Sequence, residues 1–304
     1  MKTKNFTIPV AKSLLESELT EATLARMWRG FEIHFVKKQT APYVLQEVNR
    51  ISTLMFHLDA MDGDVFDSTY TYIVVYDRPN GEILSFYRYI LCKNAIFGSE
   101  VRLSTADYFK FSPTFVDTIL PTTIEFGRSV VNKTAKNAFL GLEAVWIGIG
   151  VVIYEYYLHP KDTKIEYFFG KFSLQWDVYS DAAKDMILYL FMKHFAKYAA
   201  QDLVISRYSN ITLDFAEAHR LFSASSYEDD RKILQKYLKN IGLPMPKLAD
   251  SYAKLGGLIS LAMVSNAHLH AWETAVLQII KDINSFYIKR FVDSYVPSNA
   301  KLFL

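Results

Sequence analysis

The sequence predicts an α+β (mixed α/β) fold in which a central sheet is flanked by helices. Three observations predict it. Segments with the helical period of 3.6 residues are interspersed with segments of period two, which is the period of a strand. Asn80-Gly81 lies between two of the period-two segments, and Asn-Gly is the strongest short signal for a β-hairpin. Helices and strands do not alternate strictly, so a doubly wound parallel sheet is excluded.

Residues 1–40 predict an N-terminal helical segment. Apolar residues recur at helical spacing over 10–29, and Gly30 follows as a stop signal. Basic residues lie beside this apolar stripe, namely Lys12, Arg26 and Arg29. The segment therefore predicts either peripheral contact with a membrane surface or, as most amphipathic helices do, packing on the protein's own core.

Residues 41–200 predict the core of the fold. A helix begins at Pro42, a favourable first-turn residue, and ends near His57. After an acidic loop, period-two patterns predict a strand over 70–76 and its return strand over 82–92. Residues 94–120 show little periodicity. Further strands are predicted over 122–131 and 165–174, and helices over 139–157 and 182–200, with Asn137 and Ser180 as N-caps.

Residues 201–304 predict a helical insertion followed by strands that complete the same domain. The predicted elements are helices near 214–223 and 228–240, strands over 258–264 and 275–280, and a final helix near 284–293.

Composition excludes several classes of protein. The net charge of +2, from 34 basic and 32 acidic residues, gives no overall field that would attract nucleic acid. A single cysteine, Cys92, excludes an internal disulfide and any CxxC motif, and its apolar surroundings predict a buried, inert thiol. The longest apolar run, 144–154, is too short for a membrane span, and no secretory signal is visible. A cytoplasmic protein is expected.

Three weak motifs predict no cofactor site. The acidic loop from Asp59 to Asp64 fails the spacing of a calcium-binding EF-hand. His268 and His270 lack a third metal ligand in register, so no metal site is expected. Gly148-Ile-Gly150 lacks the third glycine of a dinucleotide fingerprint and predicts close helix packing instead.

The predicted strand 122–131 carries an unusual pair of charges. Glu125 and Gly127 share one face of a regular strand, while Arg128 points to the other. A glycine within a strand indicates a bulge or the close approach of another backbone or a ligand. The charges predict either a functional pair or structural ion pairs that involve Arg88, Asp67 or each other.

These residues resemble a known family. Glu125-Phe-Gly-Arg128-Ser129 is similar to the signature strand of the hemolysin-like GNAT acyltransferases, which include ornithine-lipid and glycine-lipid N-acyltransferases and are related to the acyl-homoserine-lactone synthases. Five further segments between about residues 45 and 290 resemble that family in the same order: Glu47-Val-Asn-Arg50 with Phe56, Asp64-Val-Phe66-Asp67 before Tyr70, Gly81 to Arg88, Phe168 to Leu174 with Tyr179-Ser180, and Pro244 to Gly256.

The resemblance implies a splayed sheet with a site for an acyl thioester. The pantetheine arm would enter between the strands 122–131 and 165–174, and Ser173 would help to bind it. Backbone N–H groups from Gly127 through Ser129 to Val130 would stabilise the oxyanion. Glu125 would act as general base, while Arg88 and Arg128 would bind a carboxylate or hold the acidic turn. Asp67 would hold one of these arginines.

Two departures from the family pattern concern the donor and catalysis. The loop 132–137 has no glycine-rich turn to cradle the pyrophosphate of CoA, but Lys133 and Lys136 suit the single phosphate of an acyl carrier protein. The resemblance and this loop together imply that a long acyl chain, with or without a 3-hydroxyl group, passes to a small amine, an amino acid above all. Acyl carrier protein is the expected donor, and acyl-CoA is the alternative. Trp146-Ile-Gly148 lacks the basic residue found in the family. One alternative function is therefore a catalytically degenerate protein that binds acyl chains or a carrier. The other alternative is a signal synthase of the homoserine-lactone type.

Overall fold

The structure is a computed structural model that describes residues 8–58, 63–98, 100–197, 203–207, 212–267, 270–293 and 295. The chain divides into two compact units. The first comprises described residues of 1–91, 126–165 and 285–304, and the second those of 92–125 and 166–284. Strand residues 123–131 pass from the second unit into the first.

The helices and strands are numbered in chain order. The helices are α1 (Lys12–Glu18), α2 (Pro42–Met55), α3 (Gly141–Ile153), α4 (Asp181–Phe195), α5 (Ala216–Leu221), α6 (Tyr227–Asn240), α7 (Lys247–Leu255) and α8 (Ser285–Val292). The strands are β1 (Leu24–Trp28), β2 (Phe31–Val36), β3 (Thr71–Asp77), β4 (Glu82–Leu91), β5 (Ile96–Phe97), β6 (Glu100–Val101), β7 (Phe109–Phe111), β8 (Thr123–Val131), β9 (Tyr167–Gln175), β10 (Val204–Ser206), β11 (Leu258–Asn266) and β12 (Ala271–Ile279).

The first unit is built on the strand order β1-β2-β3-β4-β8. Its first four strands pair antiparallel. Helix α2 buries Val44, Val48 and Ile51 in a core that it shares with Tyr72 and Val74 of β3 and Val130 of β8. This core fixes β3 and β8, the two strands that carry much of the site.

The second unit is built on the strand order β8-β9-β12-β11. Residues Thr123–Glu125 of β8 pair parallel with Tyr167–Phe169 of β9, and β9, β12 and β11 pair antiparallel. The sheet is therefore mixed and flanked by helices, as the sequence predicts. A cluster of aromatic rings from Phe111, Phe115 and Phe169 packs beside it.

Most of the predicted elements are confirmed within a few residues. Helix α2, the hairpin β3–β4, strands β8 and β9, and helices α4 and α6 form where the sequence places them. Ser180 caps α4 as predicted, because its hydroxyl accepts from Ala183 N. Asn137 does not cap a helix with its side chain; that amide donates instead to Asp77. Helix α7 was not predicted.

The predicted helix over 10–29 is wrong. Helix α1 ends at Glu18, and β1 and β2 form a hairpin joined by Arg29 and Gly30, whose φ angles are 49° and 84°. Two positive φ angles in a two-residue loop define the turn type that matches the twist of paired strands. Gly30 is thus a hairpin residue, not a helix stop. Arg26 is buried and donates to Phe291 O at 2.6 Å, so it contributes nothing to a membrane-binding helix face.

Helix α3 is the central helix of the first unit, and its glycines allow close packing as predicted. A Cβ on Gly148 would lie 2.5 Å from Ile73 Cγ2, and one on Gly150 would lie 2.1 Å from Phe291 O. With its flanking turns α3 forms a helical stretch, Ala138–Leu158, that is long and apolar enough to cross a membrane by length and composition. Slightly more than half of its apolar window, 56%, is buried within the protein, as expected of a core helix.

Candidate active site

Asp67 is the centre of a buried network of charges in the first unit. It lies in a short turn, Val65–Ser68, in which Phe66 N and Asp67 N donate to the side chain of Asp64. Asp67 Oδ1 accepts hydrogen bonds from Arg128 Nη1 at 2.8 Å and from Arg88 Nη1 at 3.2 Å. The sequence predicts one arginine on this carboxylate, and the structure places both there.

Tyr72 joins the network from β3. Its hydroxyl donates to Asp67 Oδ1 at 2.5 Å and accepts from Arg128 Nη1 at 2.9 Å. Burial alone would raise the pKa of Asp67, but Arg128, the Tyr72 hydroxyl and Arg88 together hold that pKa below its usual value. Burial raises the pKa of Tyr72. The tyrosine therefore stays neutral and donates, while the aspartate stays charged.

Arg88 lies at the end of the hairpin return strand β4 and is almost fully buried. Its Nη1 donates to both oxygens of Asp64, at 2.9 and 2.8 Å, in addition to Asp67. Its guanidinium carbon lies over two aromatic rings, 4.7 Å from the centre of Tyr70 and 5.9 Å from that of Phe66. These rings add a cation–π attraction to the ion pairs of Arg88.

Arg128 has a strained backbone within β8. Its φ of 54° lies in the left-handed region, which costs a residue with a side chain roughly 1–2 kcal/mol. Its side chain holds this conformation through Asp67, Tyr72 and Ser52, whose hydroxyl accepts from Arg128 Nε at 3.3 Å. The irregularity that Gly127 led us to expect in this strand thus centres on the following residue.

Glu125 lies in the second unit and is completely buried. Its Oε1 accepts from Ser104 Oγ at 2.5 Å and from Thr105 N at 3.2 Å, at the first turn of the 3₁₀ helix Ser104–Asp107. Cys92 lies near it, and burial followed by the Glu125 charge raises the pKa of that thiol well above its ordinary value. The prediction that this thiol is buried is confirmed.

The predicted donor-binding residues differ in exposure. Gly127 and Ser129 are half-buried, and Val130 packs its side chain in the core, so only its backbone is available. Lys133 and Lys136 are exposed, and so is Ser173, which pairs with Glu273 across β9 and β12.

The loop that follows β8 uses its own backbone N–H groups internally. Asn132 N donates to Leu84 O, Lys133 N to Met55 Sδ, Thr134 N to Asn132 Oδ1, Ala135 N to Asn132 O, and Lys136 N to Glu82 Oε2. Five successive N–H groups therefore have acceptors within the protein.

Sequence patterns did not identify every member of the network. Asn49, whose amide donates to Asp67 Oδ2 at 3.4 Å, and Ser52 lie on α2, and Tyr72 lies on β3. What sets these three residues apart from others of their type is that α2 and β3 lie on either side of the acidic turn in the sequence. Arg50 forms a pair with Glu47 at 2.6 Å and is not part of the network around Asp67.

Comparisons with known proteins show which proteins the chain is similar to. The acetyltransferase (GNAT) domain family matches residues 46–145, a range that contains Asp67, Arg88, Glu125 and Arg128. Two proteins called glycine N(alpha)-acyltransferase, from Bacteroides thetaiotaomicron and Phocaeicola vulgatus, are each 28% identical to the chain. The alignments cover 97% and 96% of this chain and 92% and 94% of those proteins.

The protein is an N-acyltransferase with a GNAT domain. An acyl donor and an amine acceptor are accordingly its substrates. Among solved structures, the GNAT-domain protein resembles the CoA-dependent acyl-homoserine lactone synthase BjaI, determined with SAM and isopentyl-CoA, at 9% identity and a TM-score of 0.37 over 87% of this chain and 89% of that one. Within the described part of this N-acyltransferase no group of three or more metal-binding side chains occurs; His268 lies outside the described residues.

Proposed function

We propose that this N-acyltransferase moves a long acyl chain from acyl carrier protein to the amine of an amino acid, with glycine as the first candidate. The proposal that the acceptor is an amino acid is supported by the match to two glycine N-acyltransferases along nearly the whole chain. The product is an acyl-amino-acid lipid or its precursor, made in the cytoplasm and released at the inner face of the membrane.

The reaction needs three groups on the protein. The neutral amine attacks the thioester carbonyl, forming a C–N bond and a tetrahedral oxyanion. Backbone N–H groups of β8, near Gly127, Ser129 and Val130, stabilise that oxyanion. Glu125 accepts the proton that the amine loses, and the C–S bond then breaks, so that the carrier leaves as a thiolate and takes up a proton.

Arg128 and Asp67 act on the shape of β8. The guanidinium is held on Asp67, and this contact stabilises the left-handed backbone at position 128. A regular strand would direct its N–H groups into sheet pairing, whereas an irregularity can turn one of them towards a ligand. We therefore assign Asp67, Arg88 and Arg128 to positioning, and Glu125 to proton transfer.

The loop after β8 supports acyl carrier protein as the donor. A pyrophosphate is usually bound by several free backbone N–H groups at a glycine-rich turn. Here the N–H groups of residues 132–136 already have internal acceptors. The exposed lysines, Lys133 and Lys136, remain for a single phosphate and for an acidic carrier. Ser173 of β9 would contact the pantetheine arm.

The function is tested with cells and with purified protein. Cells that express the wild type should accumulate an acyl-amino acid detectable by mass spectrometry, and purified enzyme should form it from acyl carrier protein and glycine. Glu125→Gln keeps the Oε1 acceptor for Thr105 N but cannot accept a proton, so turnover should fall about 100-fold or more. A melting curve like that of the wild type would show that the variant is folded. Equal turnover of the two proteins at saturating substrates would remove Glu125 from the mechanism.

The donor is tested by charge reversal. At low salt the enzyme should have a much higher kcat/KM with acyl carrier protein than with acyl-CoA of equal chain length, and the difference should shrink as salt rises. Lys133→Glu with Lys136→Glu should weaken use of the carrier more than use of CoA.

The matched control reverses Lys161 and Lys164, two exposed lysines of the same unit. It changes the net charge equally and should leave the ratio between donors nearly unchanged. Equal rates with both donors at low salt would show that the loop chemistry does not select the carrier.

A further inference from the structure

Two buried polar atoms beside Asp67 have no hydrogen-bond partner. They are Asn49 Oδ1 and Arg88 Nε. Buried polar groups in folded proteins nearly always have partners, so unpaired ones call for an explanation. Other atoms of the same side chains have partners: Arg88 Nη1 donates to Asp64 and Asp67, and Asn49 Nδ2 donates to Asp67.

The two atoms have opposite hydrogen-bonding character and flank one carboxylate. Arg88 is held on the Oδ1 side of Asp67 and Asn49 on the Oδ2 side. Arg88 Nε is a charged donor, which prefers a carboxylate. Asn49 Oδ1 is an acceptor beside a negative charge, which suits an ammonium or amine N–H. The orientation of the amide is fixed, because the flipped form would place its oxygen against Asp67 Oδ2.

The surroundings restrict what can bind at Arg88. The guanidinium carbon lies over the rings of Tyr70 and Phe66, so a ligand that binds Arg88 lies beside two aromatic side chains. Both unpaired atoms are shielded from solvent, so a ligand that reaches them is desolvated and its charges are strongly felt.

We propose that this pair recognises the zwitterion of an α-amino acid as the acyl acceptor. Arg88 Nε donates to the α-carboxylate, and Asn49 Oδ1 accepts from the α-amino group, which the Asp67 carboxylate also attracts. The inference rests on the proposed function, since it names the acceptor's binding groups. It assigns to Asn49 a part in substrate binding and explains why Arg88 presents an edge that its two aspartates leave unused.

The experiment separates the two ends of the ligand. Glycine serves as full acceptor, glycinamide as an acceptor that lacks the carboxylate, and acetate as a competitive inhibitor that lacks the amine. The wild type should prefer glycine to glycinamide by about 10-fold or more in kcat/KM, mainly through KM, as expected for one charge-assisted hydrogen bond.

Two variants should give a crossed pattern. Arg88→Lys keeps a cation for Asp64 and Asp67 but lacks the Nε–H donor. It should therefore lower kcat/KM for glycine and the affinity for acetate about 10-fold, while kcat/KM for glycinamide stays unchanged. Asn49→Leu keeps the size of the side chain but lacks the hydrogen-bond acceptor. It should therefore lower kcat/KM for glycine and glycinamide, while the affinity for acetate stays unchanged. Asp64→Asn, which alters a partner of Arg88 but neither unpaired atom, should affect all three compounds equally.

The outcomes distinguish this inference from the proposed function. Acylation of glycine with equal use of glycinamide by the wild type, which needs no variant to fold, would overturn the zwitterion site and leave the N-acyltransferase function standing. Uniform weakening of every compound in both variants would show a purely structural role, such as holding a buried water. Absence of amino-acid acylation by a folded wild type with either donor would overturn the proposed function itself.

Discussion

One oxygen of Asp67 accepts hydrogen bonds from three side chains, so a substitution at this residue removes more contacts of the network than one at any of the three donors. Two arginines share a buried carboxylate, and a second aspartate, Asp64, balances the remaining positive charge. The charges of this network can be found in the sequence, because Asp67, Arg88 and Arg128 lie in recognisable segments. Asn49 and Tyr72 cannot, since an asparagine in a helix and a tyrosine in a strand are ordinary there.

Asp67→Asn should destabilise the protein by about 3–5 kcal/mol at neutral pH. The variant leaves Arg128 buried without its counter-charge, and breaking a buried ion pair from one side has a cost of that order. Urea unfolding measures it. Asp64→Asn is the control: its side chain is 37% exposed, so water can solvate what it leaves behind and the loss should be about 1 kcal/mol or less. Equal losses would contradict the central place of Asp67.

The stability lost in Asp67→Asn should depend on pH, and the lowered pKa of Asp67 fixes the direction of that dependence. The pKa of Asp67 is lowered by folding, so its charge stabilises the native state above the unfolded pKa, which is about 3.9. That contribution is lost as the pH falls through the lower, folded pKa. The difference in stability between wild type and Asp67→Asn should therefore be constant above about pH 5 and shrink below about pH 4.

At the scale of elements, the contact between α3 and α8 depends on the absence of a side chain at Gly150. Gly150→Ala places a methyl group 2.1 Å from Phe291 O, where backbone must move. Gly148→Ala meets first Cγ2 of Ile73, at 2.5 Å, which is a side-chain atom rather than backbone. Overpacking costs about 1–3 kcal/mol in ordinary sites. We expect Gly148→Ala within that range and Gly150→Ala above it.

Urea unfolding compares the two alanine variants, and hydrogen exchange of residues 285–292 shows whether α8 detaches. Gly150→Ala should lose protection in α8, and Gly148→Ala should retain it. A Gly150→Ala protein as stable as the wild type, with α8 protected, would mean that the two helices can separate without cost.

Other elements show where periodicity fails. Leucines from 14 to 24 keep a helical spacing, yet the chain turns after Glu18 and continues as β1. Local pattern could not reveal this, because β1 depends on pairing with β2, and that pairing is set by the positive φ angles of Arg29 and Gly30. Strands with a strong hairpin signal, such as β3 and β4 around Asn80-Gly81, were predictable from neighbouring residues alone.

For the whole molecule, the sequence predicts the fold class and the order of most elements but not the division of the chain. Both units are assembled from distant segments: residues 126–165 return to the first unit after 92–125 have entered the second. Sequence motifs are local, so they do not show that a later segment of the chain packs with an earlier unit. The family resemblance, confirmed by the GNAT match over 46–145, predicted the type of fold but not this division.

The docking of α8 has a consequence for the nascent chain. Phe291 stacks on Trp146 with ring centres 5.5 Å apart and accepts a hydrogen bond from Arg26, so three distant stretches meet only when residue 291 is available. On the ribosome, every residue of the second unit is synthesised before that moment. The unit that contains the first strands is thus the last to be completed. Until then the surface of α3 around Gly150 lacks its partner α8 and is available to chaperones.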